Sequence, residues 1–506
     1  MGKTGGYTGP LEQVGECQWR IPRSYRADMR VEGMIFADEG LIAQIKKDQG
    51  PEQVVNVATL PGIQGASLAM PDIHWGYGFA IGGVAATDPE QGGVISPGGV
   101  GYDINCGVRL MRTDLDWDAV KPKIRPLVEA LFRDIPTGVG QSGHYRFDKP
   151  KLAKLMETGA SYVVSKGWGT PRDLQFTEAG GVLKGAEPDL VSARAYERGA
   201  DQCGTLGSGN HFLEVQVVDR VLDDEAAAIM GLREGQITVL IHSGSRGLGY
   251  QVCDDNLAAF RGAPKKYGFT LPDPQLACAP VHSPEGKAYL GAMRAAANYA
   301  WCNRQLLMHQ AREILAEVFG TPWEKLGMEL VYDVAHNIAK FEQHDVGGTS
   351  KRVCVHRKGA TRAFPPGHPE IPELYQAIGQ PIQRKYNGEE IPAKGIGQPV
   401  IVPGSMGTAS WVLTGLPGSM QFSFGSCCHG AGRMMSRTAA VKLASGRRID
   451  KELDAIGIIA RARGHKGLAE EQPAAYKDVD QVVEVVERAG LAKKVARLRP
   501  VGVIKG

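Results

Sequence analysis

Apolar positions along this chain fall into short runs that end at glycines and histidines. The stretches 211–218, 236–242, 328–334 and 399–403 are dense in Val, Ile, Leu and aromatic residues, which predicts buried β-strands. Residues 119–132 and 150–165 repeat their apolar positions at helical spacing. Lys287 to Phe319, rich in Ala, Leu, Met and Arg, predicts the longest helix. His309 within it has no glycine-rich setting and reads as packing or surface rather than as a ligand. Near the start, Trp19-Arg20-Ile21-Pro22 predicts an extended piece and Glu39 to Lys47 a short helix. Pro71-Asp72-Ile73-His74 predicts a loop, and Val84-Ala85-Ala86 a strand of a buried core. Residues 355–395, crowded with Pro, Gly and charge, predict an irregular segment covering a site. Gly430 to Ser445 predicts a helix launched directly from His429, and 450–506 predicts polar helices. Strand runs alternating with helical ones give an α/β (α+β) chain. There is no repeat and no obvious linker, so one interwoven domain over 1–506 is expected.

Composition narrows this further. Hydrophobic residues make up 43% of 506, enough for a large core. The 66 glycines, roughly twice the usual share, cluster around histidines and acids, where backbone approaches a ligand closely. With 58 basic and 55 acidic residues the net charge is only +3, too weak to announce nucleic-acid binding, although a local basic groove stays open. Nine cysteines without scaffold spacing read as reduced thiols of a cytoplasmic protein. The opening Met1-Gly2-Lys3-Thr4-Gly5-Gly6 lacks the apolar core of a signal peptide, and no run is long enough for a membrane span.

The chemistry concentrates in five runs. Pro97 to Arg109 places Asp103 and Cys106 three apart among glycines. A soft thiolate beside a hard carboxylate suits Mn²⁺, Zn²⁺ or Fe²⁺ better than Mg²⁺. His211, His242 and His336 each follow or end an apolar run, so each could enter a shared cleft from a strand end. Five ligands hold two metals if one is shared, and Cys106 is the natural bridge; such a pair would clamp a phosphoryl displacement. His429 in Cys428-His429-Gly430-Ala431-Gly432-Arg433 is a candidate nucleophile at an anion-attracting helix start. Arg433 and Arg437, one helical turn apart, together with Arg198 and Arg246, are candidate phosphate holders. Pro403 to Ser410 follows the strand Val400-Ile401-Val402 and offers amides and hydroxyls to a nucleotide. Glu214 would serve a base edge only if the backbone kinks after His211. The Gly138 to Gly143 match to G-x-G-x-x-G precedes no apolar helix and reads as a surface loop. No P-loop, C-x-x-C or K-x-D-G ligase lysine occurs. These residues describe a metal enzyme that handles phosphates.

The same runs closely resemble the RtcB family of RNA-splicing ligases. The resemblance is carried by Met70 to His74, Gly98 to Arg109, Gly209 to Glu214, His242 to Gly247, His336-Asn337, Val355 to Arg362, Pro403 to Ser410, Cys428 to Arg433 and Gly502 to Gly506. Ala80 stands where many relatives have Pro. The resemblance implies a fold that is neither Rossmann nor P-loop. It also implies a GTP- and Mn²⁺-dependent enzyme joining RNA 2′,3′-cyclic phosphate or 3′-phosphate ends to 5′-hydroxyl ends, in tRNA splicing or repair; the archease protein is an activator known for the family, and whether this chain needs it is not written in the sequence. By that resemblance Asp103, Cys106 and His211 would hold one metal, and Cys106, His242 and His336 the other. His429 would take GMP from GTP. The guanylate would lie among Asn210, His211, Phe212, Leu213, Glu214, His336, Asn337, Pro403, Gly404, Ser405, Met406, Ser410, Gly430, Ala431, Gly432 and Lys505, with Tyr476 stacked on the base. A phosphoesterase that only opens cyclic phosphates would not need His429, Lys505 or Tyr476, and a noncatalytic RNA-binding subunit would be free to lose the ligands.

Overall fold

A computed structural model describes residues 5–376 and 395–506, together with the backbone of Ile382–Tyr386 and Glu389–Ile391. Two large sheets organise it. The first has seven strands, in the order Glu12–Gly15, Gln18–Ile21, Glu32–Phe36, Ile63–His74, Ile81–Thr87, Thr349–Lys358 and Asn337–Val346. The second runs Glu329–Ala335, Gly107–Asp116, Gln236–Ser243, Phe212–Val221, Ala492–Lys505, Ser410–Gly415 and Pro399–Val402, with Ile459–Ala462 pairing alongside Ala492–Lys505. The α/β class is as expected. Gln236–Ser243 is buried along its whole length, which is why it reads as an unbroken apolar run rather than an alternating one.

The sheets are stitched together at the histidines. Glu329–Ala335 lies in the second sheet and Asn337–Val346 in the first, so His336 is the residue at which the chain passes from one to the other. Ala360–Arg362 pairs with Ser426–Cys428, and that short ribbon delivers His429. The predicted long helix spans Pro284–Phe319, 36 residues and about 54 Å at 1.5 Å per residue. The Ser283 side chain caps its start and Gly320, at φ +65°, ends it. It packs Leu307, Met308, Ala311 and Leu315 into the core under the second sheet.

Four local expectations change. Pro71 to His74 is not a loop but the end of the strand Ile63–His74, and it is buried except at His74. No helix leaves His429 directly. Gly432 sits at φ +76° and Arg433 bridges to Tyr476 in extended form, so the helix waits for the Ser436 cap and covers Arg437–Leu443. Arg433 and Arg437 therefore do not share a helical face. The C-terminal region is not wholly helical, because Ala492–Lys505 is a 14-residue strand. Of 355–395, the first residues complete Thr349–Lys358 and Ala360–Arg362, 363–372 are irregular as expected, Glu373–Gln376 is a short helix and Ile382–Tyr386 pairs with Glu389–Ile391, while 377–381, 387–388 and 392–394 lie outside the described residues.

Candidate active site

The loop before Gly107–Asp116 makes the first half of the site. The Cys106 amide donates to the Asp103 carbonyl (2.9 Å), and Asn105 between them takes a left-handed φ of +52°. This turn points Asp103 and Cys106 the same way. His211 precedes the strand Phe212–Val221, and His242 lies within Gln236–Ser243 opposite both Val108 and Phe212. The His336 amide donates to the Cys106 carbonyl at 2.9 Å.

Two ligand sets result, Asp103-Cys106-His211 and Cys106-His242-His336, each with its donor atoms within 4.8 Å of one another. Cys106 belongs to both. Its Sγ is 3.4 Å from His211 Nε2 and 3.2 Å from His242 Nε2; His242 Nε2 is 3.2 Å from His336 Nε2, and His211 Nε2 is 2.7 Å from Asp103 Oδ2. Three imidazole nitrogens crowded around one thiol make poor hydrogen-bond partners for each other, but a suitable shell for cations. Burial pushes His242 and His336 far below the usual imidazole range, so both are neutral, as ligands must be. Burial also opposes ionisation of Asp103, but His211 outweighs it and holds that carboxyl at about 2. Burial, with Asp103 beside it, drives the Cys106 thiol well up; a coordinated cation would reverse this, since coordination deprotonates thiols. The donor set therefore fits a pair of divalent transition metals.

His429 stands next to this cluster, its ring 4.8 Å centroid to centroid from that of His336. Asp72 holds it in place. Asp72 Oδ2 accepts from His429 Nδ1 (2.6 Å), from the His429 amide (3.1 Å) and from the Gly430 amide (3.3 Å). Asp72 is fully buried, which disfavours its charge, yet His429 and then Lys477 keep it ionised. Lys477 Nζ is itself fixed by the carbonyls of Pro71 and Ile73. With Nδ1 committed to the carboxylate, Nε2 is the nitrogen left for chemistry. Gly432 closes against the same strand: a Cβ there would stand 2.2 Å from the Asp72 carbonyl oxygen.

A cavity of about 310 Å³ joins these groups. Of the expected guanylate residues, Asn210, Phe212, Glu214, His336, Asn337, Pro403, Gly404, Met406, Gly430, Ala431, Gly432, Tyr476 and Lys505 line it. Phe212 and Glu214 face it together because the strand starts after His211, so no kink is required. Leu213 turns into the core, Ser405 Oγ pairs with Thr408 Oγ1 at 3.0 Å, and Ser410 Oγ accepts from Gln216 at 3.0 Å. Burial pushes Glu214 up to about 7, opposed by Gln216 and Lys505. Arg433 (3.0 Å), Arg437 (3.3 Å), Lys505 (3.5 Å) and the Tyr476 hydroxyl all converge on buried Glu471. Arg246 sits on the Asp103 side, its Nε donating to Thr205 Oγ1 at 2.9 Å, and Arg198 lies behind it with its guanidinium over Tyr250.

The sequence gives Asp72 no role of its own and does not single out Glu471 or Lys477. A lone acid inside an apolar run marks Asp72. Nothing local marks the other two.

A family model described as tRNA-splicing ligase RtcB matches residues 53–383 and 385–506. A tRNA-splicing ligase RtcB of Thermococcus kodakarensis is 52% identical over 497 residues, 98% of this chain and 99% of that protein. Its counterpart in Archaeoglobus fulgidus is 52% identical over 498 residues, with the same coverage of both chains. An RNA-splicing ligase RtcB of Mycobacterium tuberculosis is 52% identical over 456 residues, 90% of this chain and all of that protein. Matches of this extent place the chain in the RtcB family.

Proposed function

We propose that this protein is an RNA ligase that joins a 2′,3′-cyclic phosphate or 3′-phosphate end to a 5′-hydroxyl end, as in tRNA splicing or RNA repair, using GTP. The observation that carries this reading is His429, its Nδ1 tied to buried Asp72 and its ring 4.8 Å from that of a candidate metal ligand, inside one cavity that Tyr476, Glu214 and Lys505 also line. A phosphoesterase that only opens cyclic phosphates would not need Tyr476 and Lys505 in that cavity.

In this reading Asp103, Cys106 and His211 hold one Mn²⁺, and Cys106, His242 and His336 the other. Bound there, the ions would neutralise phosphate charge and order in-line displacement. The Nε2 lone pair of His429 attacks the α-phosphorus of GTP. The Nε2–P bond forms, the bond to pyrophosphate breaks, and Asp72 stabilises the positive charge that develops on the ring. A 2′,3′-cyclic end is first opened by water, which forms a P–O bond as the P–O2′ bond breaks and the 2′-hydroxyl is regained; a 3′-phosphate oxygen of the RNA then displaces His429, giving RNA-3′-pp-5′-G. The 5′-hydroxyl attacks the RNA phosphorus last, losing its proton, and GMP leaves. Tyr476 covers the base, Glu214 accepts from the guanine edge, and Lys505 faces its oxygen. Arg246, Arg198, Arg433 and Arg437 surround the phosphates. Because its ligands run from Asp103 to His336 and its nucleophile is His429, the whole chain acts as one catalytic unit. An archease-type activator and a cytoplasmic setting belong to the same reading, and no helix among the described residues is long and apolar enough to cross a membrane.

The test is incubation with Mn²⁺ and labelled GTP. A covalent adduct that is labile in acid and stable in alkali is expected, and His429→Ala abolishes it. An adduct that survives His429→Ala rejects the assignment.

A further inference from the structure

Apart from the catalytic cavity, the molecule has an open cleft of about 770 Å³ with an unusual lining. Arg125, Arg133, Arg448, Lys451, Arg461 and Arg463 face it, and only two acids, Asp450 and Asp454, do so. The chain as a whole is nearly balanced, with 58 basic and 55 acidic residues, so this surface concentrates positive charge. Arg125 is paired with Asp454, Arg448 with Asp450, Arg461 with Glu129 and Arg133 with Asp134. Lys451 and Arg463 are exposed and have no carboxylate partner among the described residues.

The cleft neighbours the site. Its floor includes Ile459–Ala462, which pairs in parallel with the last strand so that Ala462 lies opposite Lys505 of the guanylate cavity. Arg463 follows at once. Its Cδ is 3.5 Å from where a Cβ on Gly138 would stand; the Gly138 carbonyl accepts from Arg246 Nη2 (3.4 Å), and the Gly138 amide donates to the Gly207 carbonyl (2.8 Å). Arg246 in turn lies beside Asp103 and His211. Arg246 and Arg463 thus flank Gly138, the first toward the candidate metal ligands and the second toward the cleft.

We propose that this cleft binds the ribose–phosphate backbone of a substrate RNA strand, several nucleotides from the end being joined. The proposal rests on the RNA-ligase reading of the central site and adds to it a second contact region. Charge complementarity and the position of Arg463 across Gly138 from Arg246 both favour a polyanion leading outward from the candidate metal ligands.

The test uses the full-length Mn²⁺-loaded protein and the double variant Lys451→Gln/Arg463→Gln, whose exposed side chains leave the fold unburdened. Binding of labelled single-stranded RNA is measured against salt, with long and short oligonucleotides of about 20 and about 4 nucleotides, each carrying either a 3′-phosphate or a 5′-hydroxyl at the reacting end. Two lost phosphate contacts lower the slope of log K against log salt by about 1.4 and weaken binding about 25-fold near 0.1 M salt. That loss is expected for at least one long RNA and for neither short one, with guanylylation by GTP unchanged. Unaltered affinity and slope for both long RNAs overturn the proposal, and a cleft that serves only an acidic protein partner would give that result. Failure of the wild-type protein to be guanylylated or to ligate would count against the central-site reading instead, and the length-dependent comparison stays measurable in that case.

Discussion

Asp72→Asn isolates the charge that supports His429. Asp72 Oδ2 takes three hydrogen bonds, one from Nδ1 and two from backbone amides, while Oδ1 has no partner. An asparagine oxygen can occupy the Oδ2 position and keep all three bonds, so the main loss is the negative charge facing an imidazole that becomes cationic as Nε2 bonds to phosphorus. Two unit charges about 4 Å apart at an effective dielectric near 20 interact by about 4 kcal/mol. That corresponds to about a thousandfold in rate. Asp72→Ala removes the charge and also strands two buried amides, at about 1–3 kcal/mol each, so it should be slower still and less stable. The assay is the single-turnover rate of guanylylation with saturating labelled GTP, alongside thermal midpoint and metal content. Asn should lose rate with little change in either control, because Asp72 belongs to neither candidate ligand set. Guanylylation of the Asn variant within a few-fold of wild type would refute the idea that this carboxylate supports the nucleophile.

Two further outcomes follow from the same geometry. Gly207 has φ +95°, and a Cβ there would stand 2.3 Å from His211 Nδ1 and 2.4 Å from Arg246 Nη1; beyond a backbone penalty of about 1–2 kcal/mol, Gly207→Ala should displace the His211 ring and cost one of two bound metals by elemental analysis, whereas full retention of both would contradict the ligand assignment. Glu214, pushed up to about 7 by burial from the ordinary 4.5, keeps its proton in the folded protein while the unfolded chain releases it. Stability should therefore fall as pH rises from about 4.5 to about 7 and level off above, by about 3 kcal/mol from this group. The thermal midpoint of Glu214→Gln should gain on wild type across that window, and parallel curves would show that the carboxyl does not titrate there.

What the sequence revealed follows from how local each signal is. His211, His242 and His336 stand out because the apolar runs beside them are strands, and neighbouring strand ends meet along one end of a sheet. The central strand Gln236–Ser243 is legible for the same reason. Asp72 and His429 are 357 residues apart, so no spacing rule could join them, and the family resemblance transferred His429 without its partner. The expected helix from His429 failed because a glycine at positive φ and the Arg433–Tyr476 bridge interrupt it, and both depend on tertiary contacts. The terminal strand was readable: Ala492 to Lys505 largely alternates exposed or half-buried charge with buried Val, Ala and Leu up to Pro500, a period of two that a polar composition concealed. Glu471 draws three cations and a phenol from distant segments, and nothing beside it in the chain foretells that.

One turn of the long helix ties the ligands together. Arg304 is fully buried. Its Nη1 donates to the carbonyls of Asn105 (2.7 Å) and Ser243 (3.0 Å), which adjoin Cys106 and His242, and its Nη2 donates to Asn105 Oδ1 (3.1 Å). Asp333, three residues before His336, pairs with Arg304 and also with Arg109 from the strand that follows Cys106. Its neighbour Asn303 donates to the Thr205 and Gly244 carbonyls and accepts the Gly204 and Thr205 amides, holding the loop that leads to His211. Two guanidinium groups on one buried carboxylate are weak evidence for stability, because desolvation offsets most of their attraction. Their stronger effect is geometric. Asn105 adopts φ +52°, a left-handed conformation that asparagine takes up more readily than other non-glycine residues, and the Arg304 fork fixes it from both its carbonyl and its side chain. Without that fork Asn105 could relax, and Cys106 would turn away from the three imidazoles. The shared sulfur is thus aimed by a helix that contributes no ligand of its own, and the turn that carries it is held by the core before any cation binds.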